Sequence, residues 1–391
     1  MSILLSPAIS RIEAPPIAEA MAWVRPGERN RALLNLCQAV PSYEPAEALQ
    51  SEIARLAYDP AVHLYTDNHG IPELRSALAR HMAADYYGLI HPENVSITSG
   101  CNQAFCAAIM ALAQRGDNVV LPAPYYFNHQ MWLDMLGVEK RIVQAFAEGR
   151  AYPLPGDAAA LIDTHTRAIV LCSPNNPTGA IYPPEIIEGF YELAKAAGIA
   201  LIIDETYKDF RSSPEPLHHL FAKEDWQETF VQLYSFSKVF ALTGYRVGSI
   251  IAGAKVLAEA EKILDCMAIC APHISQRAAL FGLANLSDWK LEKRRVMEDR
   301  REALLTAFKH PKLSYRLISS GAYFAYVKHP FDKESAKAVA MRLAGEHDVL
   351  CLPGSMFGPD QEPYLRFAFA NSPAEDMAIL VERLIESQGQ R

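Results

Sequence analysis

Runs of apolar residues alternate with amphipathic stretches through the middle of the chain. Residues 168–172 and 200–203 are continuous apolar runs, which are typical of strands buried on both faces of a parallel sheet. Residues 184–197, which lie between these runs, repeat apolar positions at the helical period. Because strand and helix patterns alternate in this way, residues 46–285 are predicted to form an α/β domain with a mostly parallel sheet.

The pattern changes after residue 285. Residues 288–309 form a long charged helix in which opposite charges are neighbours, which is typical of a solvated face. Two strands and two helices are predicted further on, at 323–327, 365–369, 333–345 and 373–387. We therefore predict a second, smaller α+β domain that is formed by both termini, residues 1–45 and 286–391.

The composition is that of a globular protein. Half of the 391 residues are apolar and 21% are charged, and a chain of this length suggests about two domains. The net charge is −8 and no lysine or arginine cluster is large, so no nucleic-acid partner is expected. No apolar run reaches the ~18 residues of a membrane span, and we expect no membrane partner.

The seven cysteines lie mostly in apolar stretches. This is typical of buried free thiols in a reducing cytosol, so we expect a cytoplasmic protein. Cys266 and Cys270 are four residues apart, but no further Cys or His completes a zinc set at the usual spacing. We expect no metal site.

One lysine follows two serines in a turn, Ser235-Phe236-Ser237-Lys238, and Arg246 follows between two glycines. A lysine so placed can form an imine with an aldehyde cofactor, while the serine and the arginine hold an anion. The alternative is a surface lysine in a polar loop, which is what most lysines are.

Several polar residues follow predicted strands, where the ligands of open α/β sheets bind. The turn at residues 99–102 joins a strand to a helix, so its free N–H groups could bind an anion or could form a plain capping turn. Tyr126 could stack on a flat ring or belong to the core. In the 173–179 loop two prolines hold Asn176, which could donate to a ring oxygen or form a simple turn.

Two charged residues lie next to apolar ones. Asp204 ends a run of four apolar residues, so its carboxylate is poorly solvated and needs a cationic partner unless it caps a helix. Tyr207, three residues on, could reach the same ligand. Arg366 lies in an alternating strand, where it could grip a substrate carboxylate or form a structural salt bridge.

These motifs occur in an order that matches one known family. From about Leu33 to the C-terminus, the chain resembles the fold-type-I pyridoxal phosphate (PLP) enzymes, specifically the class I/II aminotransferases. The motifs are Ser-Pro-Asn-Asn-Pro-Thr-Gly at 173–179, Asp-Glu-Thr-Tyr at 204–207, Ser-Phe-Ser-Lys at 235–238, the glycine-flanked Arg246 and Leu-Arg-Phe-Ala at 365–368. The resemblance implies a seven-stranded type of sheet, pyridoxal 5′-phosphate as cofactor, and transfer of an amino group between an L-amino acid and a 2-oxo acid.

The resemblance also implies catalytic roles. Lys238 is similar to the Schiff-base lysine that carries a proton between the substrate Cα and the cofactor C4′. Asp204 is similar to the partner of the pyridine nitrogen, and His129 lies where some members have a histidine behind the aspartate. Tyr207 and Asn176 are similar to the donors to the 3′-oxygen.

Further binding residues follow from the same resemblance. Tyr126 is similar to the ring-stacking aromatic. Tyr65 is similar to the tyrosine that reaches the phosphate of a neighbouring subunit, which implies a homodimer. Arg366 is similar to the clamp for the α-carboxylate, and Ala39 lies at the substrate contact where the family usually has glycine. The phosphate site is implied to consist of Gly100, Cys101, Asn102, Ser235, Ser237 and Arg246.

The substrate is expected not to be a dicarboxylate. In aspartate-specific members an arginine grips the distal carboxylate, and residues 266–270 contain none. Asn102 stands where some other members have a lysine. Tyr323 and Phe324 are placed to line a pocket for apolar or aromatic side chains.

Two other functions remain open on the same scaffold. One is a PLP-dependent lyase or decarboxylase, since a few pocket residues decide how the Cα carbanion partitions. The other is a non-catalytic PLP-binding regulator, which would carry an added DNA-binding domain. The chain has no basic helix-turn-helix for such a domain.

Overall fold

A computed structural model describes residues 3–24, 31–147 and 149–389 of the chain. The predicted small-domain range therefore includes residues outside the described ones, at both ends and at 25–30. Among the described residues, no helix combines the length and the apolar character that are needed to cross a bilayer.

Most of the longer α-helices of the described residues agree with helices that the sequence predicts. The α-helices are α1 (Pro7–Ser10), α2 (Pro16–Met21), α3 (Glu47–Leu56), α4 (Pro72–Tyr86), α5 (Cys101–Leu112), α6 (Phe127–Leu136), α7 (Pro155–Ala159), α8 (Pro184–Ala197), α9 (Phe236–Val239), α10 (Ala254–Ala268), α11 (His273–Asn285), α12 (Ser287–Ala307), α13 (Ala336–Glu346) and α14 (Asp376–Gln388). The sequence patterns did not predict α1, α7, α9, α10 and α11.

The β-strands of the described residues lie mainly in two sheets. They are β1 (Leu34–Asn35), β2 (Val95–Thr98), β3 (Asn118–Ala123), β4 (Glu139–Gln144), β5 (Phe146–Ala147), β6 (Arg150–Ala151), β7 (Thr166–Cys172), β8 (Ala200–Asp204), β9 (Phe230–Ser235), β10 (Gly248–Ile251), β11 (Arg316–Gly321), β12 (Phe324–Lys328), β13 (Val349–Leu350), β14 (Leu352–Pro353) and β15 (Tyr364–Phe367).

The larger sheet has seven strands in the order β2-β10-β9-β8-β7-β3-β4. Its neighbours from β9 to β4 are parallel, whereas β10 is antiparallel to both β2 and β9. The predicted α/β class and mostly parallel sheet are therefore confirmed.

Helices cover both faces of this sheet. Successive residues of β8 point to opposite faces, so Leu201 and Ile203 join one apolar cluster and Ile202 joins another. The first cluster includes residues of α4, α8 and α11, and the second includes residues of α5, α6 and α10. This two-sided burial explains the continuous apolar runs of β7 and β8.

The smaller sheet is antiparallel, in the order β11-β12-β15-β14. The N-terminal strand β1 pairs in parallel with β13, so residues of both terminal regions lie together. The domain bounds at 46 and 285 stay predictions. The charged face of α12 is not wholly solvated, because Arg300 is buried and donates to the Ala370 carbonyl.

Two glycines allow close backbone contact between the loop after β7 and the end of β11. Gly179, in the loop after β7, has a φ of 72° and packs against Gly321 at the end of β11. A Cβ at Gly321 would overlap the carbonyl oxygen of Gly179. The loop with Asn176 and the hairpin with Tyr323 can approach this closely because neither glycine has a side chain.

We predict that Gly321→Ala destabilises the protein by about 1–3 kcal/mol, because the new methyl group forces apart two backbones that cannot yield. Urea unfolding measures the effect. Gly156→Ala is the control, since nothing lies within 4 Å of a Cβ at that exposed helical position. Equal unfolding midpoints for Gly321→Ala and wild type would contradict the close packing.

Candidate active site

A cavity of about 370 Å³ opens at the carboxyl ends of β7, β8 and β9. Cys172, Asp204 and Ser235 end these three strands and line the cavity. Most of the predicted site residues also line it: Ala39, Cys101, Asn102, Tyr126, Asn176, Tyr207, Ser237, Lys238 and Arg246. Gly100, Arg366 and Tyr65 are not lining residues.

Asp204 is buried with its carboxylate ionised. His129 Nε2 lies 3.1 Å from Oδ2, and the backbone N–H of Thr206 donates to Oδ1 at 3.0 Å. Burial opposes ionisation, but the hydrogen bonds from His129 and Thr206 outweigh it and hold the pKa of the Asp204 carboxyl below its usual value. The cavity therefore has one wall with a fixed negative charge.

His129 is itself held by aromatic rings. It is 2% exposed, and Phe105 stacks on it with the ring centroids 4.2 Å apart. The Tyr126 ring meets His129 edge-on at 5.3 Å. The side chain predicted behind Asp204 is thus fixed from two directions.

Lys238 is the only lysine among the described residues that line the cavity. Its Nζ donates to the carbonyl oxygen of Ala39 and lies 6.0 Å from the ring centroids of both Tyr207 and Tyr323. Burial, with the positive charges of Arg246 and Arg366, lowers the pKa of the Lys238 amine to about 7. Its neutral, nucleophilic form is therefore accessible near neutral pH.

The residues of the predicted phosphate site lie close together. Arg246 Nη1 lies 3.5 Å from Ser237 Oγ and 3.0 Å from the Thr243 carbonyl. Gly100 caps α5, and a Cβ there would overlap the Arg246 guanidinium. Ser235 Oγ accepts from the backbone N–H of Ser237 at 3.2 Å. A guanidinium, hydroxyls and a helix N-terminus are a donor set for an anion.

Asn176 and Arg366 are bonded to each other. Arg366 Nη1 donates to Asn176 Oδ1 at 3.0 Å, and Nη2 donates to the Cys37 carbonyl. Arg366 is 1% exposed, and it has no ion pair with a carboxylate of the described residues. The structural salt bridge that the sequence left open is therefore not formed there.

A rigid loop holds Asn176. The neighbouring Asn175 accepts from the backbone N–H and the hydroxyl of Thr178, at 3.1 and 2.8 Å. Asn175 also donates to the Tyr182 hydroxyl at 3.2 Å. Since Asn176 Oδ1 accepts from Arg366, its amide nitrogen is the group left to donate to a ligand.

Tyr207 lines the cavity, and two further aromatic rings pack against it. Tyr323 and Phe324, which were predicted to line a pocket, are not lining residues of the cavity. The Tyr207 ring lies 5.3 Å from the Tyr323 ring and 5.1 Å from the Phe324 ring. Tyr323 and Phe324 are fully buried, and the Tyr323 hydroxyl lies 3.4 Å from that of Tyr43. Burial raises the pKa of the Tyr207 phenol well above its usual value, so it stays a hydrogen-bond donor.

Tyr65 stands apart from the cavity. Its side chain is 76% exposed, in the segment that precedes α4. The predicted role at another subunit's phosphate is thus not a role within the single chain.

Several residues at the site were not predicted. Thr206 binds Asp204 through its backbone, and Phe105 stacks on His129. Thr243, Gln38 and Val40 line the cavity. Thr206 lies within the Asp-Glu-Thr-Tyr motif, which could have drawn attention to it, whereas the position of Phe105 depends on packing between elements that are distant in sequence.

The side chains present fit pyridoxal phosphate. The cavity offers an amine for the aldehyde and a buried carboxylate for the ring nitrogen. It also has a positively charged site for the phosphate, where the absence of a side chain at Gly100 leaves room for the Arg246 guanidinium. Tyr207 and Asn176, which also line the cavity, add two uncharged hydrogen-bond donors.

Comparison with known proteins gives the same family. A model of the aminotransferase class I and II family matches residues 31–384. The chain is 30% identical over 360 residues to an aromatic aminotransferase of Arabidopsis thaliana, which covers 90% of this chain and 88% of that protein. It is 29% identical over 371 residues to an aspartate aminotransferase of Thermotoga maritima, over 95% of this chain and 92% of that protein.

Solved structures agree. The crystal structure of the Thermotoga maritima aspartate aminotransferase superposes with a TM-score of 0.89 at 28% identity, and covers 99% of this chain and 100% of that one. These relatives are aminotransferases, so the lyase and decarboxylase alternatives are not favoured. The chain belongs to the aminotransferase class I and II family, and it is a transaminase that uses pyridoxal 5′-phosphate.

Proposed function

We propose that Lys238 carries the cofactor as a Schiff base and that the enzyme transfers amino groups from amino acids with apolar or aromatic side chains. The observation that carries the proposal is the Lys238 amine, whose pKa is lowered to about 7 in a cavity that also holds the Asp204 carboxylate. An amine with that pKa can act as a nucleophile and as a base at neutral pH.

Asp204 holds the proton on the ring nitrogen. Its ionised carboxylate is fixed by His129 and Thr206, so it does not need to reorganise when a cation binds. When bound, PLP supplies an electron sink for the negative charge that develops at the substrate Cα. Tyr207 and Asn176 would donate to the oxygen of the ring, and Tyr126 would stack on its face.

Lys238 moves the proton. With PLP and substrate bound, the neutral Nζ of Lys238 would be the group that accepts a proton from the substrate Cα and donates it again. Burial, with the positive charges of Arg246 and Arg366, lowers the pKa of the Lys238 amine to about 7, so its neutral and protonated forms are both available near neutral pH.

Arg366 grips the substrate α-carboxylate. A guanidinium that is 1% exposed and bonded only to neutral oxygens of the described residues lacks a counter-charge. A carboxylate that binds it bidentately supplies that charge. Asn176 aims one side of the guanidinium and so orients the clamp.

We place the substrate side chain on the side of the cavity that Tyr207 lines, where the Tyr323 and Phe324 rings pack against Tyr207. The Tyr323 ring centroid lies 6.0 Å from Lys238 Nζ. Asn102 at the cavity wall brings no positive charge for a distal carboxylate. One relative is named an aromatic and another an aspartate aminotransferase, so the preference is argued from the side chains.

We also propose a homodimer in the cytoplasm. Tyr65 is exposed and lies outside the cavity, so a neighbouring subunit is the partner whose phosphate site it would complete. The free thiols of Cys37, Cys106, Cys172 and Cys351 are buried, which suits a reducing compartment.

We predict that the apoprotein captures PLP at a rate that rises with pH and levels off above about pH 7. The pKa of Lys238 is lowered from 10.5 to about 7, so its neutral amine is the main form above that pH. Stopped-flow absorbance measures the rate, and Lys238→Ala gives the background. A rate that still rises steeply near pH 10 would contradict the lowered pKa.

We predict that Arg366→Ala raises the half-saturating amino-acid concentration by about 30-fold or more, because a charge-assisted bidentate pair is worth at least about 2 kcal/mol. Titration of the visible band with an amino acid measures it. Arg295→Ala, at an exposed position of α12, is the control and leaves half-saturation unchanged. Unchanged half-saturation in Arg366→Ala would rule out the clamp.

We predict that phenylalanine and methionine are better amino donors than aspartate, by about tenfold or more in kcat/KM, because no positive charge is offered to a distal carboxylate. The measurement is kcat/KM for each amino acid as donor, with the same 2-oxo acid present at a saturating concentration as acceptor. Far better turnover of aspartate would overturn the assignment of the pocket while leaving the transaminase intact.

A further inference from the structure

A cluster of buried charges lies directly after Tyr207 in the chain. Lys208 is fully buried, and its Nζ lies 2.5 Å from Asp85 Oδ2. Arg211 Nη2 donates to the other oxygen of Asp85 at 2.9 Å. Residues 208–210 form a single 3₁₀ turn that Tyr207 begins, with the backbone N–H of Phe210 donating to the Tyr207 carbonyl at 3.0 Å.

Asp209 connects this turn to two other elements. The Tyr234 hydroxyl donates to Asp209 Oδ2 at 2.7 Å, and Lys290 Nζ lies 3.3 Å from Oδ1. Tyr234 is the residue before Ser235, at the end of β9 that leads to Lys238. Lys290 lies in the first turns of α12. One carboxylate thus joins the Tyr207 turn, the strand end before Lys238 and α12.

The charges in this cluster depend on one another. Asp209 is 8% exposed, and the positive charges of Lys208 and Lys290 hold its pKa below the usual value despite its burial. Other charged or titratable groups that act on the cluster are His81, Arg294, Asp85 and Arg211. Removing one charge from such a set leaves its partners buried without a counter-ion.

We propose that Asp209 is a positioning residue that fixes the Tyr207 phenol relative to Lys238. It touches neither the cavity nor a reacting atom, and it acts by tying the turn that carries Tyr207 to the end of β9. This inference rests on the proposed roles of Tyr207 and Lys238. If it is right, loss of the Asp209 charge changes the electronics of the cofactor through Tyr207.

The test is a double-mutant cycle of Asp209→Asn and Tyr207→Phe in the holoenzyme. The readout is the pH midpoint of the cofactor's visible band, which rises when the Tyr207 hydrogen bond is lost. We expect Asp209→Asn to raise the midpoint by about half a unit and to lower kcat about tenfold, with KM changed less than about twofold. In the Tyr207→Phe background, Asp209→Asn causes no further change in the pH midpoint or in kcat.

Asp85→Asn is the matched control. It removes a partly buried charge from the same cluster but touches neither Tyr234 nor Lys290. It lowers the thermal unfolding midpoint and leaves the pH midpoint of the visible band unchanged. An equal pH shift in Asp85→Asn would overturn the proposal, because the effect then does not depend on the contacts of Asp209 with Tyr234 and Lys290. Full additivity in the double variant would also overturn it, because the effect then does not pass through Tyr207.

Two further outcomes separate the possible failures. If Tyr207→Phe itself leaves the band unchanged, the proposed role of Tyr207 is wrong and the inference falls with it. If only Asp209→Asn is silent, the inference alone is wrong. If Asp209→Asn does not fold, Lys290→Met removes the ion pair from a partly exposed side chain, and it must raise the pH midpoint in the same direction, or the inference is wrong.

Discussion

A buried, ionised carboxylate at the end of β8 sets the requirements for the rest of the site. Asp204 is only 4% exposed, at the strand end where it lines the cavity. His129 and Thr206 keep it ionised, and Phe105 fixes His129. A charge held in this way favours a cationic ligand, which in the proposed mechanism would be the protonated ring nitrogen of the cofactor. The orientation of the ring would then determine which side chains can bind its aldehyde and its phosphate.

Two positive charges, those of Arg246 and Arg366, act on the Lys238 amine. In the proposed mechanism, Arg246 would bind the cofactor phosphate and Arg366 the substrate carboxylate. Burial and these two arginines together lower the pKa of the Lys238 amine, so the residues proposed to bind anions also contribute to that lowering. In the proposed mechanism, the arginines that would bind the two anions also help to keep Lys238 neutral, the form in which it can accept a proton.

The sequence was sufficient for the main strands of the large sheet and for most of the cavity. Continuous apolar runs predicted β7 and β8, and the motifs together with the family resemblance predicted eleven residues that line the cavity. Apolar patterns do not record strand direction, so antiparallel β10 was not anticipated. Phe105, the buried Asp209 cluster and the contact of Gly179 with Gly321 depend on residues far apart in the chain, and local periodicity carries no signal for such packing.

The central claim is that Lys238, among all the lysines of the chain, carries the cofactor. The most direct measurement is reduction of the holoenzyme with sodium borohydride, followed by proteolysis and mass spectrometry of the phosphopyridoxyl peptides. Our account predicts one modified peptide, with the label on Lys238, and no label when an excess of amino acid has first converted the cofactor to its amine form. A label on another lysine, with Lys238 unmodified, would contradict the account.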